Sequence, residues 1–160
     1  MSATGLEVFD RTVQLTNIWL DDIMREMGWT DRQRAYHALR AVLHTLRDRL
    51  PVSETARLSA QLPMLIRGVF FEGWRPGTVP VPEFSRDEFL MHITDAFLFV
   101  MDADSQHIAT AVLRVVARHI SPGESEKIRH ALPEGCRELW PASTDQQSAT
   151  ATAPGPLQPE

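Results

Sequence analysis

Apolar residues recur along this chain at spacings of three and four residues, the period of an amphipathic α-helix. The clearest stripes cover residues 35–50 and 109–120, and two further stripes cover 9–27 and 89–101. No stretch alternates apolar and polar residues over the length of a β-strand. The pattern therefore predicts an all-α protein in which each helix buries one face.

Signals for helix starts and ends support this division. Capping-box patterns, in which a hydroxyl accepts a hydrogen bond from the third helical amide, occur at Thr30, Ser85 and Ser121. Each half of the chain then reaches a Leu-Pro pair, at Leu62 and at Leu132. Because the residue before a proline is disfavoured in the helical conformation, we expect a short third helix to end near each pair. A short fourth helix should follow each proline.

A shift of 70 residues lays the second half of the chain over the first. The shift aligns residues 39–43 with 109–113, the two Leu-Pro pairs with each other, and Arg67 with Arg137. Internal repeats of this kind decide the architecture of a protein. The sequence therefore predicts eight helices arranged as two tandem four-helix repeats.

The predicted boundaries follow from the segments outside the repeats. Repeat one covers about 5–74 and repeat two about 85–141, and the three prolines and one glycine of 75–84 predict a non-helical connector. A half of about 65 residues would bury only a marginal core by itself. We therefore expect one domain, 1–141, in which the repeats pack as one body. Residues 142–160 contain almost no large apolar residue, which predicts a disordered tail.

Charge and composition exclude several classes of function. The 160 residues carry 16 Lys and Arg against 21 Asp and Glu, a net charge of −5, which disfavours general binding to nucleic acid. The single cysteine, Cys136, forms no internal disulfide. The most apolar stretch is interrupted by His92 and Asp95, and the N-terminus lacks the pattern of a signal peptide. We expect a cytoplasmic protein that binds neither nucleic acid nor membranes.

Motifs of catalysis or cofactor binding do not occur in this sequence. The six histidines lack metal-site spacing, and there is no Glu-x-x-His, GxSxG, P-loop or GxGxxG pattern. His92 lies one helical turn from Glu88 and from Asp95, but metal sites normally need three or four convergent ligands. The sequence therefore predicts no catalytic, cofactor-binding or metal-ligating residues and favours a non-enzymatic protein.

The most distinctive block, residues 62–74, has an arginine four residues after its proline and ends on aromatic residues. In one interpretation the aromatic residues lock the fourth helix onto its repeat while Arg67 hydrogen-bonds nearby backbone carbonyls. In the other, Arg67, Phe71 and Trp74 bind a protein partner, because Trp and Arg are enriched in binding hot spots. These three residues are the candidate partner-binding residues.

Two blocks of the sequence resemble a known family. They are AVLHTLRDRLPVSETARLSAQLPMLIRGVFFEGW, at 41–74, and VARHISPGESEKIRHALPEGCRELWP, at 116–141. Their order is similar to that of the bacterial helical proteins grouped as domain of unknown function family 2267, and the resemblance covers about Phe9 to Pro141. It implies an all-helical fold and a bacterial cytosolic protein. It implies no activity.

Two hypotheses of function remain open at the level of sequence. The first is a non-enzymatic interaction or scaffold module that presents a helical face to another protein or to a second copy of itself. The second is a small-ligand-binding protein or enzyme with a pocket between the two repeats, in which histidines such as His44 or His119 and nearby arginines supply the polar groups. An enclosed site where His and Arg side chains converge favours the second hypothesis, and an exposed apolar patch favours the first.

Overall fold

A computed structural model of the chain describes residues 2–97 and 104–142. All regular structure in those residues is helical and contains no strand, which confirms the predicted all-α class. The elements are α1 Glu7–Met27, α2 Arg32–Asp48, α3 Val52–Ser59, α4 Met64–Phe71, a 3-10 turn Pro76–Thr78, α5 Arg86–Ala96, α6 Ser105–His119, α7 Pro122–Ala131 and α8 Glu134–Arg137. The predicted disordered tail lies outside the described residues except for residue 142.

The start of α2 differs from the sequence-based prediction. Asp31, not Thr30, caps the helix, and its carboxylate accepts hydrogen bonds from the amides of Gln33 at 3.0 Å and Arg34 at 3.4 Å. A carboxylate at this position both satisfies free amides and interacts favourably with the helix dipole. The helix therefore begins one residue later than the predicted capping box requires.

The other two predicted boxes have different outcomes. At Ser85 the full box is present, because the hydroxyl accepts from the Glu88 amide at 3.1 Å and the Glu88 carboxylate accepts from the Ser85 amide at 3.5 Å. At Ser121 only half is present. The hydroxyl accepts from the Glu124 amide, but the Ser121 amide donates to the side chain of Gln61 at 2.7 Å. Glu124 is therefore not part of a capping box.

The two Leu-Pro pairs separate short helices, as predicted. α3 ends at Ser59, and a turn leads to Leu62. α7 ends at Ala131, directly before Leu132. In both places the proline that follows is the N-cap of the next helix, α4 or α8. The restriction before proline accounts for the end of α7 at Leu132, which is extended, whereas α3 ends three residues before Leu62.

Helices α2 and α6 occupy the centre of the core, and each carries eight buried residues. They pack against each other, α1 packs against both, and α5 packs against both. The contact between α3 and α7 also joins the two halves. The buried apolar residues of both halves form one cluster, in which each fully buried Leu, Ile or Val side chain contributes about 1.5–3 kcal/mol.

The first turns of α1 lie outside this core. Phe9 and Val13 belong to the predicted apolar stripe but are 47% and 40% exposed, whereas Trp19 and Ile23 further along the helix are buried. The periodicity correctly identifies the helix and its apolar face. It is wrong about the extent of burial, because Phe9 and Val13 stay exposed although α4 packs against α1 near Thr12.

Two glutamates lie at the contact between α3 and α7. Glu124 is only 4% exposed, and its Oε1 atom and the buried Oε2 atom of Glu54 have no hydrogen-bond partner in the described part of the chain. Burial, and then the nearby charge of Glu54, raise the pKa of Glu124 above its ordinary value, while Lys127 and Arg57 act in the opposite direction. The contact therefore contains a carboxylate that is unfavourable when ionised.

We expect Glu124→Gln to stabilise the protein at pH 7 by about 1 kcal/mol, because the amide carries no charge to bury or to repel Glu54. A raised pKa in the folded state means that wild-type stability falls as the pH rises from 4.5, the ordinary value, through the raised value. The advantage of the variant should therefore shrink as the pH is lowered through that range. Urea denaturation of both proteins at neutral and acidic pH measures the effect.

The matched control is Glu138→Gln, which changes an exposed glutamate and should have little effect at pH 7. A Glu124→Gln protein that is less stable than wild type at pH 7 would contradict this description of the contact between α3 and α7.

Candidate functional site

A small polar cleft lies where α2 faces α5 and the connector between the two halves. We call it the α2/α5 cleft. It encloses about 240 Å³ and opens to solvent. Its lining residues come from three segments: Arg40, Ala41, His44, Thr45, Asp48 and Arg49 from α2 and its C-terminal end, Val81 and Glu83 from the connector, and His92 and Ala96 from α5.

Arg49 is the most deeply buried charged group of the cleft. Its side chain is 2% exposed, and its Nη1 donates to the backbone oxygen of Thr45 at 2.9 Å. Its Nη2 donates to the carboxylate of Glu83, and its guanidinium lies 5.3 Å from the ring centre of Phe89. The Nε atom has no hydrogen-bond partner within the described residues. The Nε atoms of Arg34, Arg86 and Arg129 also lack a hydrogen-bond partner there, but Arg49 combines this unused donor with a side chain that is almost fully buried, which is costly.

Glu83 connects three parts of the molecule through its carboxylate. Besides Arg49 of the α2 end, it contacts Nε2 of His92 on α5 at 2.9 Å. The connector is also held by its backbone, since the Val81 amide donates to the Asp48 carbonyl at 2.8 Å. The connector therefore forms one wall of the cleft.

His44 and Arg40 tie the cleft to the end of α4. Nε2 of His44 lies 2.7 Å from the Val69 carbonyl, and because a carbonyl only accepts, Nε2 carries the hydrogen. Burial lowers the pKa of His44, so the ring is neutral near pH 7. Arg40 forms an ion pair with Glu72 at 3.2 Å. Neutral His44 leaves Nδ1 as a hydrogen-bond acceptor.

The contact between α1 and α6 is arranged differently. Glu26 accepts a hydrogen bond from Arg114 at 3.0 Å and another from Arg118. Burial acts to raise the pKa of Glu26, but the hydrogen bonds from Arg118 and Arg114 outweigh it and hold the pKa below its ordinary value. His119, which sequence analysis named as a pocket histidine, lies here, stacked on Trp19 with ring centres 4.7 Å apart. An internal carboxylate therefore fills the space between these two arginines.

The three candidate partner-binding residues do not form one exposed group. Arg67 donates to the backbone oxygens of Ser59 at 2.8 Å and Leu62 at 3.0 Å, at the end of α3. Phe71 and Trp74 contact each other with ring centres 5.1 Å apart, and both are half-buried. The structure thus brings Phe71 and Trp74 together and holds Arg67 on backbone carbonyls.

Sequence analysis named His44 but missed Arg49 and Glu83 as residues of one site. They are 34 positions apart, and neither belongs to a recognised motif. One feature of the sequence points to this region: the 70-residue shift aligns Ala96 with Glu26. Ala96 is one of the residues that line the α2/α5 cleft.

The described residues contain neither a cluster of metal ligands nor a helix that could span a membrane. Across 2–97 and 104–142, no group of three or more His, Cys, Asp or Glu residues is placed to hold a metal ion. In the same residues no helix has both the length and the apolar character needed to cross a bilayer. Burial raises the pKa of Cys136, which disfavours its reactive thiolate.

Wild-type stability should fall as the pH drops below 6.5, the ordinary pKa of histidine, because folding disfavours protonated His44 while the unfolded chain takes up the proton. We expect His44→Gln, which keeps a donor for Val69, to reduce this loss. Urea denaturation between pH 7 and pH 5 measures the slope for both proteins. His37→Gln, an exposed position on the same helix, is the matched control. An unchanged slope in His44→Gln would contradict the assignment of a neutral, half-buried ring.

Comparison with known proteins gives a family but no activity. No curated protein matches the chain. A family model described as "Uncharacterized conserved protein (DUF2267)" matches residues 16–139, which include every helix that lines the α2/α5 cleft. The match confirms the resemblance found in the sequence. This chain belongs to the family of uncharacterised conserved proteins DUF2267.

Proposed function

We propose that this chain is a non-enzymatic protein that binds a small polar molecule in the α2/α5 cleft. The observation that supports this proposal is the convergence of Arg40, His44, Arg49 and His92 around one cavity between the two halves. Binding sites commonly combine a concave surface with a few convergent polar groups. The buried donor of Arg49 adds a group that lacks a partner within the described residues.

The volume of the cleft limits its ligand to a small molecule. About 240 Å³ is below the usual range of about 300–1,000 Å³ for drug-sized ligands. It corresponds to the volume of about eight water molecules in the liquid. A metabolite of a few carbon atoms fits this space, whereas a nucleotide does not.

The contact between α1 and α6 differs from the contact between α2 and α5, and this difference supports a binding site at the second contact. Under the predicted 70-residue shift, Glu26 corresponds to Ala96, and its partners Arg114 and Arg118 correspond to His44 and Asp48. At the contact between α1 and α6, Glu26 fills the space with its own carboxylate. At the contact between α2 and α5, Ala96 supplies no carboxylate, and it lines the α2/α5 cleft.

The proposal includes the tandem repeat and the single domain of residues 1–141. Reciprocal packing supports it, because α1 contacts α6 just as α5 contacts α2. Arg67 and Arg137, which the shift aligns, each donate to the carbonyl of their preceding Leu-Pro leucine, at 3.0 Å in both cases. The bacterial and cytoplasmic setting inferred from the sequence belongs to the same proposal.

A protein-interaction or scaffold role is the second candidate. It is favoured by apolar side chains that are exposed on neighbouring parts of α1 and α4: Leu6, Phe9, Val13, Met64 and Leu65. The two segments are adjacent because the Leu65 amide donates to the Thr12 hydroxyl at 2.9 Å. Arg67, Phe71 and Trp74 remain the candidate partner-binding residues for this role, on and after α4.

If the chain self-associates through this surface, its mass in sedimentation equilibrium should increase with concentration. The double variant Phe9→Ser with Leu65→Ser should abolish this increase.

We expect Ala96→Leu to abolish ligand binding, because Ala96 lines the α2/α5 cleft and the larger side chain takes up part of its volume of about 240 Å³. A thermal-shift screen of small polar metabolites against the full chain should identify compounds that stabilise wild type. A ligand at a hundred times its Kd raises stability by about 2.7 kcal/mol, a clear shift in Tm. The same compounds should leave the Tm of Ala96→Leu unchanged.

The matched control is Ala56→Leu, which adds the same side chain at an exposed alanine of α3. It should respond to ligand as wild type does. Compounds that stabilise Ala96→Leu as strongly as wild type would contradict binding in the cleft.

A further inference from the structure

We infer that the ligand of the α2/α5 cleft is a small carboxylate that replaces Glu83 on the guanidinium of Arg49. The inference rests on the proposed binding function and adds the chemical class of the ligand. It starts from the one lining residue, in the described part of the chain, whose side chain has a buried nitrogen or oxygen without a hydrogen-bond partner. That atom is Nε of Arg49, a donor that an acceptor of the ligand would satisfy.

The geometry of the guanidinium selects a carboxylate. Nε and Nη2 of an arginine lie on the same edge and together hold both oxygens of one carboxylate. Glu83 engages Nη2 only, while Nη1 is already bonded to the Thr45 carbonyl. Glu83 therefore occupies only one of the two donors on this edge of Arg49. A free carboxylate could bind both.

Glu83 is suited to being displaced. Its side chain is 34% exposed, and it has a second partner, His92, that lies nearer to solvent. If the carboxylate leaves Arg49, the connector stays attached through the backbone hydrogen bond from Val81 to Asp48. Arg49, buried at 2% exposure, stays in place as the fixed part of the site.

The charges around the cleft favour a monoanion over phosphate. Arg49 pairs with Glu83, Arg40 with Glu72 at 3.2 Å and Arg47 with Asp48 at 2.9 Å. A single carboxylate exchanges with Glu83 and leaves one charge of each kind at Arg49. A phosphate dianion would bring a second negative charge close to Asp48 and Glu83, both of which line the cleft.

The molecule contains a precedent for this arrangement. At the contact between α1 and α6, the carboxylate of Glu26 is bound by Arg114 and Arg118. Those hydrogen bonds keep it ionised despite its partial burial. A free carboxylate on Arg49 would make the same kind of contact with a guanidinium, although the 70-residue shift aligns Arg49 with His119 and not with Arg114 or Arg118.

The test is titration of the full-length protein with acetate, lactate and succinate, followed by NMR, with methyl acetate and inorganic phosphate as the neutral and dianionic comparisons. The carboxylates should bind saturably, and methyl acetate should not. Glu83→Gln removes the internal competitor, so its affinity for the same carboxylates should be about tenfold higher than that of wild type. Ala96→Leu should abolish binding in both backgrounds.

Several results would overturn the inference: carboxylates and methyl acetate binding alike, phosphate binding more tightly than every carboxylate, or Glu83→Gln binding carboxylates no better than wild type. If Glu83→Gln does not fold, the comparison of acetate with methyl acetate in wild type still tests whether the cleft prefers a carboxylate. If neutral metabolites bind wild type but not Ala96→Leu, and no carboxylate binds, the proposed function stands and the inference is rejected. If Ala96→Leu changes the binding of no ligand, both are rejected.

Discussion

The contact between α2 and α6 is the constraint on which the rest of the structure depends. These two helices carry the largest sets of buried residues, and both α1 and α5 are held by the pair. Because α1 packs on α6 and α5 packs on α2, two comparable lines of contact arise between the halves. Glu26 occupies one of them, and the α2/α5 cleft lies along the other. The candidate site therefore lies where core packing brings the two halves together.

Arginines make the surroundings of that core rigid by binding backbone carbonyls at the ends of short helices. Arg47 is buried and donates to the carbonyls of Phe70 and Glu72, 2.9 Å in each case, at the end of α4. Arg67 does the same at the end of α3, and Arg137 at the end of α7. Helices of this length leave a large share of their carbonyls without intrahelical partners. Hydrogen bonds to a charged group contribute about 1.5–3 kcal/mol each, so these contacts favour a fixed arrangement of the short helices around the core.

The sequence predicts the helices better than it predicts the site, for physical reasons. Long apolar stripes and the Leu-Pro pairs locate α2, α6 and the short helices, because periodicity and the restriction before proline act locally. The exposure of Phe9 is not local, since it depends on which helix covers α1 in three dimensions. The ion pair of Arg49 with Glu83 is likewise a product of tertiary structure, formed by a helix end and a proline-rich connector that carry no motif. The sequence indicates His44 as a candidate only because a histidine on a helix that packs in the core is uncommon.

Backbone amide NMR can test whether the α2/α5 cleft is a binding site. Amide shifts of the full chain would be followed while a small carboxylate is added until the changes saturate. We expect the perturbed amides to cluster at 44–49, 81–83 and 92–96, in the three segments that line the cleft. Perturbations confined to the exposed apolar residues of α1 and α4, or the absence of any saturable change, would contradict it.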